Sequence, residues 1–362
     1  MNVADRIGRL ASRDDCEFEL VLRLEDIRWL TGFTGGTAQL IVNTARGESW
    51  LLVDGRYVER AQSELAIGGA STSVVPVVNG AQFLDVLLEI TAGSVLGVDL
   101  THLTAAHLQQ LQQRTTVVAI ESQFDAVRRI KDENEIRLIS DAARVADFAL
   151  QSVVSDGLVG KSERQIRNRL DQLMREGGAD DVAFETIVAT GPNGARPHHE
   201  PSHDIVENGH GVIIDMGAMI EGYRSDMTRT VLVGSIDAQY RKMFDTVIEA
   251  QARGVEAVYD GVAGSDVDAA VRRVFAREGL EHEYPHGTGH GIGLYIHEQP
   301  ILSPRCTAVL QANEVVTVEP GLYRGGVGGV RIEDLVVVTG TTCRTLSLTP
   351  KDLTCPRSPQ TI

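Results

Sequence analysis

The first third of the chain alternates short apolar runs with amphipathic segments. Between residues 17 and 120, runs typical of strands are FELVLRL, TAQLIVN, SWLLVD, TSVVPVV, VLGVD and TVVAI. Segments with apolar positions three or four residues apart lie among them and predict helices, including GRYVERAQSEL, AQFLDVLLEI and TAAHLQQLQQR. This alternation predicts an α/β domain built on a mixed sheet.

A long helical pattern, ENEIRLISDAARVADFALQSVV, follows a short polar stretch and opens the rest of the chain. We place the domain boundary near Arg128, which gives one domain at 1–127 and a second at 128–362. Further helices are predicted from Ser162 to Gly178, and at 237–259 and 265–278. The stretches that remain are rich in glycine and β-branched residues, and they predict strands joined by irregular loops.

Composition narrows the possible partners and the compartment. The 362 residues carry a formal charge of -16, which disfavours binding to nucleic acid or to an anionic membrane. No apolar run approaches the ~18 residues of a membrane span. Four scattered cysteines without a CxxC pattern indicate reduced thiols and a cytoplasmic protein. No glycine-rich phosphate loop supports nucleotide binding in the first domain.

Two acidic residues lie inside the strand-like stretch GVIIDMGAMIEGYRSDMTRT, at residues 211–230. If this stretch forms a hairpin centred between Ile220 and Glu221, Asp215 lies directly opposite Asp226, with Cβ atoms roughly 4.5–5.5 Å apart. Carboxylates held that close repel each other unless a proton or a cation lies between them. The alternative is that Asp215 ends a strand, Asp226 caps a turn, and the two never meet.

Three histidines occur in the glycine-rich segment HGTGHGIGLYIHE: His286, His290 and His297. Glycines at alternate positions remove side-chain bulk, so we expect the backbone here to approach a ligand or metal closely. A single histidine is more often an ordinary core or surface residue than a ligand. Three of them in one glycine-rich run favour a functional site.

A second pair of acidic residues follows in strand-like sequence. Glu319 ends VVTVE before a Pro-Gly turn, and Glu333 lies in GVRIEDLVVV two residues after Arg331. A hairpin through the loop at 325–329 would place Glu319 within a residue or two of the position opposite Glu333. A contact between Arg331 and Glu333, or a capped turn, would be the structural alternative.

Taken together, Asp215, Asp226, His290, Glu319 and Glu333 form a set of four carboxylates and one imidazole. Such ligands suit Mn²⁺, Co²⁺, Fe²⁺ or Zn²⁺ better than copper, and bridging carboxylates suit two ions ~3.5–4 Å apart. Without a metal, four neighbouring negative groups would destabilise the fold.

These motifs resemble the Xaa-Pro peptidases, the aminopeptidase P and prolidase branch of the pita-bread metallopeptidases. The resemblance rests on IVATGPNGARPHHEP, DMG, SDMTRT, HGTGHGIGLYIHE, VEPGLY and VRIEDLVVV, and on EDIRWLTGFTGGTAQLIV and LLVDGRY in the first domain. It implies a creatinase-like α/β N-terminal domain followed by an α+β pita-bread catalytic domain. It also implies a homodimer and two bound divalent ions, with Mn²⁺ as our first expectation and Co²⁺ or Zn²⁺ as alternatives.

The resemblance also implies a role for each matching residue. The metal ligands would be Asp215, Asp226, His290, Glu319 and Glu333, with Asp226 and Glu333 bridging the ions and Glu319 also serving as general base. His198, His286 and His297 would be the outer catalytic histidines, His297 also contacting the substrate, and Arg331 would support the site. Phe184 and Ile296 would form the apolar wall for the proline ring, whose amide nitrogen has no N–H to donate.

One position departs from the pattern of many prolidases, which carry an arginine four residues after the histidine equivalent to His297. Here that residue is Ile301, so the carboxylate of a dipeptide would lack this partner. We therefore expect an aminopeptidase that removes the residue preceding proline by metal-activated hydroxide attack on peptides with proline at the second position. The alternatives are an Xaa-Pro dipeptidase, a non-catalytic peptide-binding module, and a metal-independent creatinase-like hydrolase.

Overall fold

The chain divides into two compact units, Met1–Arg128 and Arg129–Ile362, in a computed structural model that describes residues 3–355. From residue 3 onward the first unit contains six strands: β1 (Phe18–Val21), β2 (Gln39–Asn43), β3 (Glu48–Asp54), β4 (Ser73–Val77), β5 (Leu96–Val98) and β6 (Val117–Ala119). Its helices are α1 (Leu24–Thr31), α2 (Val58–Gly68), α3 (Gly80–Thr91) and α4 (Ala105–Gln112), and α5 (Phe124–Arg129) reaches the junction.

The six strands form one sheet in the order β4-β3-β2-β1-β5-β6. The pairs β1–β2 and β2–β3 are antiparallel, whereas the other three neighbouring pairs are parallel. Alternate strand residues such as Leu20, Ile41 and Leu52 are buried together with Phe83 and Leu87, which lie one helical turn apart on α3. The mixed sheet predicted from the alternating pattern is confirmed.

The second unit begins with two helices that have complete N-terminal capping boxes. Helix α6 (Glu133–Ser155) is capped by Asp132 with Glu135, and α7 (Glu163–Glu176) is capped by Ser162 with Gln165. Helices α8 (Ala238–Glu256) and α9 (Gly264–Arg277) confirm the two further helices expected from the pattern.

Fourteen strands follow or separate these helices in the described part of the second unit. They are β7 (Asp181–Val182), β8 (Ile187–Thr190), β9 (Gly211–Met216), β10 (Ala218–Ile220), β11 (Tyr223–Arg224), β12 (Met227–Val233), β13 (Gly289–Gly291), β14 (Glu298–Leu302), β15 (Val315–Val318), β16 (Gly321–Arg324), β17 (Gly328–Arg331), β18 (Asp334–Val338), β19 (Cys343–Thr345) and β20 (Thr354–Cys355). The sheets have the orders β11-β10-β7, β20-β12-β9-β8, β14-β13-β15-β18-β19 and β16-β17.

Each helix pair covers the apolar face of a hairpin. Val212 and Ile214 of β9 are buried with residues of α6 and α7. Leu322 of β16 and Val330 of β17 are buried with residues of α8 and α9. Because side chains alternate along a strand, Asp215, next to Ile214, belongs to the opposite face of its hairpin. The polar faces of the two hairpins are therefore available to form a common site.

Hydrogen bonds join the two hairpins along these polar faces. The amide N–H of Glu333 donates to the carbonyl of Thr228 at 3.0 Å. The N–H of Arg331 donates to the hydroxyl of Thr230 at 3.1 Å, and that hydroxyl donates to the Arg331 carbonyl at 3.0 Å. Strand β12 and the end of β17 are thereby fixed side by side.

Candidate metal centre

The first acidic pair lies on one hairpin, but its register differs from the predicted one. Asp215 pairs with Thr228, not with Asp226. The turn is formed by Glu221 and Gly222, which both have positive φ, 45° and 75°, so the hairpin is centred one residue later than predicted. This moves the pairing by two residues, which leaves Asp215 and Asp226 on the same face, in a diagonal relation.

The second acidic pair has the predicted arrangement. The registers Val318 with Asp334, and Gly321 with Arg331, flank Glu319 and Glu333 and place these two glutamates opposite each other. They fall at the interruption between the two ladders of this hairpin. The hairpin predicted through the loop at 325–329 is confirmed.

His290 presents one ring nitrogen to the acidic residues. Its Nδ1 lies 3.0 Å from the carbonyl oxygen of Gly291, and its Nε2 lies 3.6 Å from Asp226 Oδ2 and 3.6 Å from Glu319 Oε1. Burial lowers the pKa of His290 to about 4. A neutral ring that donates Nδ1–H to a carbonyl keeps the Nε2 lone pair for a metal ion.

The glycines around His290 have a different role from the predicted one. A Cβ at Gly289 would lie 2.0 Å from the backbone oxygen of Thr317, and one at Gly291 would lie 2.3 Å from that of Gln299. The glycines therefore admit neighbouring backbone rather than a ligand. Close strand packing also lets the His290 N–H donate to the Thr317 hydroxyl at 3.0 Å.

The carboxylates lie close enough to one another to change one another's pKa. Burial, then the charges of Glu333, Asp215 and Glu319, raise the pKa of Asp226 well above its ordinary value. Burial raises the pKa of Glu319 to about 7, and burial followed by the charge of Glu319 raises the pKa of Glu333. A divalent cation would allow all of these groups to be ionised together.

Two observations indicate that these side chains could bind a metal ion. Asp226, His290 and Glu333 each offer one ligand atom, and these atoms lie within 4.8 Å of one another. Asp215 Oδ1, Asp226 Oδ1 and Glu333 Oε1 are buried without a hydrogen-bond partner among the described residues. Buried polar oxygens left unpaired are costly, and carboxylate oxygens with one imidazole are suitable ligands for Mn²⁺, Co²⁺ or Zn²⁺.

Arg331 fixes the orientation of Asp215. Its Nη2 donates to Asp215 Oδ2 at 2.6 Å, and its Nε donates to the Thr228 hydroxyl at 3.1 Å. Its Nη1 donates to the Tyr323 hydroxyl at 2.9 Å and to the Pro197 carbonyl at 3.2 Å. The ion pair with Asp215 replaces the contact with Glu333 that the sequence left open as an alternative.

The three predicted outer histidines, His198, His286 and His297, line the same cavity as the carboxylates. His286 Nε2 lies 2.9 Å from the Tyr323 hydroxyl, and burial lowers the pKa of His286 to about 4. The ring centroid of His297 is 4.5 Å from that of His290, and burial lowers the pKa of His297. His198 follows Pro197, whose carbonyl accepts the hydrogen bond from Arg331.

A cavity of about 700 Å³ brings the predicted site residues together. Its lining includes Phe184, His198, Asp215, Asp226, His286, His290, Ile296, His297, Glu319, Arg331 and Glu333. Ile301 also lines it, as do His199 and the arginines Arg164 and Arg167. The sequence reasoning missed Tyr323 and Thr228, although both lie within the quoted motifs VEPGLY and SDMTRT. Nothing in the alternation of those motifs indicates which distant groups their hydroxyls meet.

The site and fold define a metallopeptidase. The model of metallopeptidase family M24 matches residues 137–340, and that of the creatinase/prolidase N-terminal domain matches residues 4–130. The chain belongs to family M24, and its second unit has the pita-bread fold. Within residues 3–355, none of the helices combines the length and apolar character that crossing a bilayer requires.

Relatives with substantial identity extend over almost the whole chain. An Xaa-Pro dipeptidase of Pyrococcus furiosus is 34% identical over 314 residues, which are 85% of this chain and 89% of that protein. The structure of an Xaa-Pro dipeptidase from Bacillus anthracis has a TM-score of 0.89 and 32% identity, and covers 97% of this chain and 96% of its own. An X-Pro aminopeptidase from Thermotoga maritima has a TM-score of 0.87 and 30% identity, with 97% and 99% coverage.

Proposed function

We propose that this metallopeptidase hydrolyses the peptide bond that precedes proline. The observation that carries the proposal is the convergence of four acidic residues and His290 in a cavity that also contains three further histidines, His198, His286 and His297. Relatives named Xaa-Pro dipeptidase and X-Pro aminopeptidase support the same bond specificity. The family assignment favours catalysis over the non-catalytic binding module considered from the sequence.

In this proposal Asp215, Asp226, His290, Glu319 and Glu333 would hold two divalent ions, and Asp226 and Glu333 would each bind both of them. Mn²⁺ is our first choice, because the ligands are mostly carboxylate oxygens, and Co²⁺ or Zn²⁺ remain alternatives. When bound, the ions would supply a hydroxide nucleophile at neutral pH and polarise the scissile carbonyl. Arg331 keeps the Asp215 carboxylate oriented through their 2.6 Å ion pair.

The remaining residues act on the substrate. Glu319 would take the proton of the attacking water as general base. His198, His286 and His297 would contact the substrate and stabilise the negative charge that develops on the carbonyl oxygen. Phe184 and Ile296 would pack against the proline ring, which requires complementary shape because its amide nitrogen carries no hydrogen.

The related proteins make Xaa-Pro dipeptides the first candidate substrate and longer peptides the second. The dipeptidase relatives in both sequence and structure support cleavage of Xaa-Pro dipeptides, so this reading now precedes the aminopeptidase expected from the sequence. The aminopeptidase remains the second candidate because Ile301, an apolar residue, lines the cavity. It offers no charge to the carboxylate of a dipeptide.

Hydrolysis assays on purified protein test the proposal. Ala-Pro and Ala-Pro-Ala should be cleaved in the presence of Mn²⁺, Co²⁺ or Zn²⁺ and left intact with a chelator, whereas Ala-Ala-Ala should be a poor substrate. Preference for Ala-Pro would support the dipeptidase, and preference for Ala-Pro-Ala the aminopeptidase. If neither proline peptide is cleaved with any of the three metals, the proposed function is wrong.

We also propose a cytoplasmic homodimer. The chain contains four widely spaced cysteines and no CxxC pattern, which supports a reducing compartment. The homodimer is proposed on the family resemblance, and sedimentation equilibrium of the purified protein tests it: a mass equal to that of one chain would contradict it.

A further inference from the structure

A buried carboxylate outside the metal centre forms hydrogen bonds to several residues of one segment that lines the cavity. Glu163, the first residue of α7, has no exposed surface. Its Oε1 accepts hydrogen bonds from the Thr190 N–H at 2.7 Å and from Asn193 Nδ2 at 2.9 Å. Its Oε2 accepts from the Ser202 N–H at 2.7 Å and lies 2.7 Å from His199 Nε2. All four partners belong to the segment 190–202.

The carboxylate of Glu163 is ionised in this setting. Burial alone would raise the pKa of Glu163, but the hydrogen bonds from Thr190, His199, Asn193 and Ser202 outweigh burial and hold the pKa below its ordinary value. With Glu163 ionised, His199 donates its Nε2 hydrogen. A charged group with four donors is a strong anchor, because charge-assisted hydrogen bonds are about twice as strong as neutral ones.

The same segment is held from the opposite side by the site itself. Arg331 donates to the Pro197 carbonyl at 3.2 Å while it pairs with Asp215 at 2.6 Å. His198 lies between Pro197, which Arg331 holds, and His199, which Glu163 holds. No described residue hydrogen-bonds the His198 ring, which lines the cavity. The position of that ring therefore depends on how its two neighbours are anchored.

We propose that Glu163 is a positioning residue that holds His198 at the cavity through its hydrogen bonds to His199 and Ser202. The inference rests on the proposed function, in which His198 contacts the substrate. It adds to that function a residue that neither touches the substrate nor belongs to the metal centre. Arg331 and Glu163 together fix both sides of the His198 segment.

Substitution of Glu163 by glutamine tests this role. The change keeps the shape of the side chain but turns one acceptor oxygen into an NH₂ group that faces donors. We expect kcat and kcat/KM on Ala-Pro to fall by a similar factor, about tenfold or more, because the lost interaction acts in the transition state. Bound metal, measured by mass spectrometry, should stay at the wild-type ratio.

A double-mutant cycle separates positioning from general stability. If Glu163 acts through His198, Glu163→Gln should cost less than about twofold in kcat when it is added to His198→Ala. If the two effects multiply, Glu163 has only a structural role and the inference is wrong. Glu314→Gln is the matched control: Glu314 is also fully buried and accepts hydrogen bonds from Arg129 and the Gln311 N–H, neither of which belongs to the 190–202 segment. Its effect should multiply with that of His198→Ala.

Substitutions of His199 keep the test decisive if Glu163→Gln folds poorly, and hydrogen exchange adds a second measurement if it folds well. His199→Gln retains an N–H donor for Glu163 and should keep more activity than His199→Ala; equal activities would contradict the inference. Hydrogen exchange needs no turnover: Glu163→Gln should speed exchange at Thr190 and Ser202 relative to Glu314→Gln. If the wild type cleaves no proline peptide, the proposed function fails; if it does and Glu163→Gln matches it, only the positioning role fails.

Discussion

Asp226 has an environment that favours a bound cation. It is buried, its Oδ1 has no hydrogen-bond partner among the described residues, and three carboxylates raise its pKa after burial itself. Asp226→Asn removes the charge and keeps the volume. We expect loss of bound metal and of activity together, as one bridging ligand would lose its negative charge.

The stability of this variant gives an independent readout. In the metal-free protein, Asp226→Asn removes one of several mutually repelling carboxylates, so its unfolding temperature should equal or exceed that of the metal-free wild type. Plasma mass spectrometry gives the metal ratio and differential scanning fluorimetry the stability. Two ions per chain in Asp226→Asn would contradict the bridging role. Glu314→Gln again serves as the control and should keep its metal.

We expect Ile301 to influence the balance between the two candidate substrates. It pairs with His290 across strands β13 and β14, lines the cavity and is 37% exposed. An arginine at this position would therefore reach the cavity. We expect Ile301→Arg to raise the ratio of kcat/KM for Ala-Pro over that for Ala-Pro-Ala about tenfold, because hydrogen bonds to charged groups contribute about 1.5–3 kcal/mol.

Ile301→Met controls for the longer side chain without its charge. Steady-state kinetics on both peptides should give a ratio for Ile301→Met that stays close to the wild-type value. If Ile301→Arg leaves the ratio unchanged as well, the dipeptide carboxylate binds elsewhere in the cavity. The arginines Arg164 and Arg167 on α7, which also line it, would then be the next residues to substitute.

At the scale of elements, the strand that carries His290 depends on the absence of a side chain at Gly289. A Cβ there would lie 2.0 Å from the Thr317 carbonyl oxygen, and Thr317 also accepts the N–H of His290. Gly289→Ala should therefore force β13 and β15 apart. We expect a loss of about 1–3 kcal/mol in the free energy of unfolding and a clear loss of metal affinity.

Gly325→Ala is the matched control for this substitution. Gly325 lies at the tip of the β16–β17 hairpin, and a Cβ there would meet no atom within 4 Å. Urea denaturation and metal titration of both variants make the comparison. Equal stabilities for the two alanine variants would show that the strands adjust without cost, against the close packing described above.

The two hairpins show how far alternation along the chain predicts a site. Alternation correctly predicts which face each acidic residue occupies, and the predicted loop at 325–329 places the second register to within two residues of the observed one. The first register was wrong because the turn is formed by Glu221 and Gly222, both at positive φ, whereas the centre was predicted between Ile220 and Glu221. A shift of one residue in the turn moves the pairing by two residues. Asp215 therefore stays on the predicted face of the strand but has a different cross-strand partner.

Contacts between distant segments could not be derived from local pattern. The ion pair of Arg331 with Asp215 joins residues 116 positions apart, and the hydrogen bond that His199 donates to Glu163 joins residues 36 apart. A period of two residues gives the face of a strand, but not which other element lies against it. The resemblance to a known family indicated which ligands belong together. The structure added Glu163, Thr228 and Tyr323, whose hydrogen bonds hold the site residues in place.

For the whole molecule, the candidate metal ligands and the tryptophans are in different units. All five proposed ligands lie in Arg129–Ile362, whereas both tryptophans, Trp29 and Trp50, lie in Met1–Arg128. Tryptophan fluorescence therefore reports unfolding of the first unit alone. Far-UV circular dichroism adds the second unit, which contains the long helices α6 and α8 of 23 and 19 residues.

Removal of the metal by a chelator should therefore affect the circular dichroism signal and the tryptophan fluorescence signal differently. A ligand that binds only the folded state at 100 times its dissociation constant stabilises that state by about 2.7 kcal/mol, and its removal also leaves buried carboxylates repelling one another. We expect a chelator to lower the temperature of the circular dichroism transition and to leave the tryptophan transition in place. Adding excess Mn²⁺ should restore the first signal, whereas Na⁺ should not. Equal shifts of both signals would contradict this prediction, because stabilisation by the metal would then extend to a unit that contributes none of its ligands.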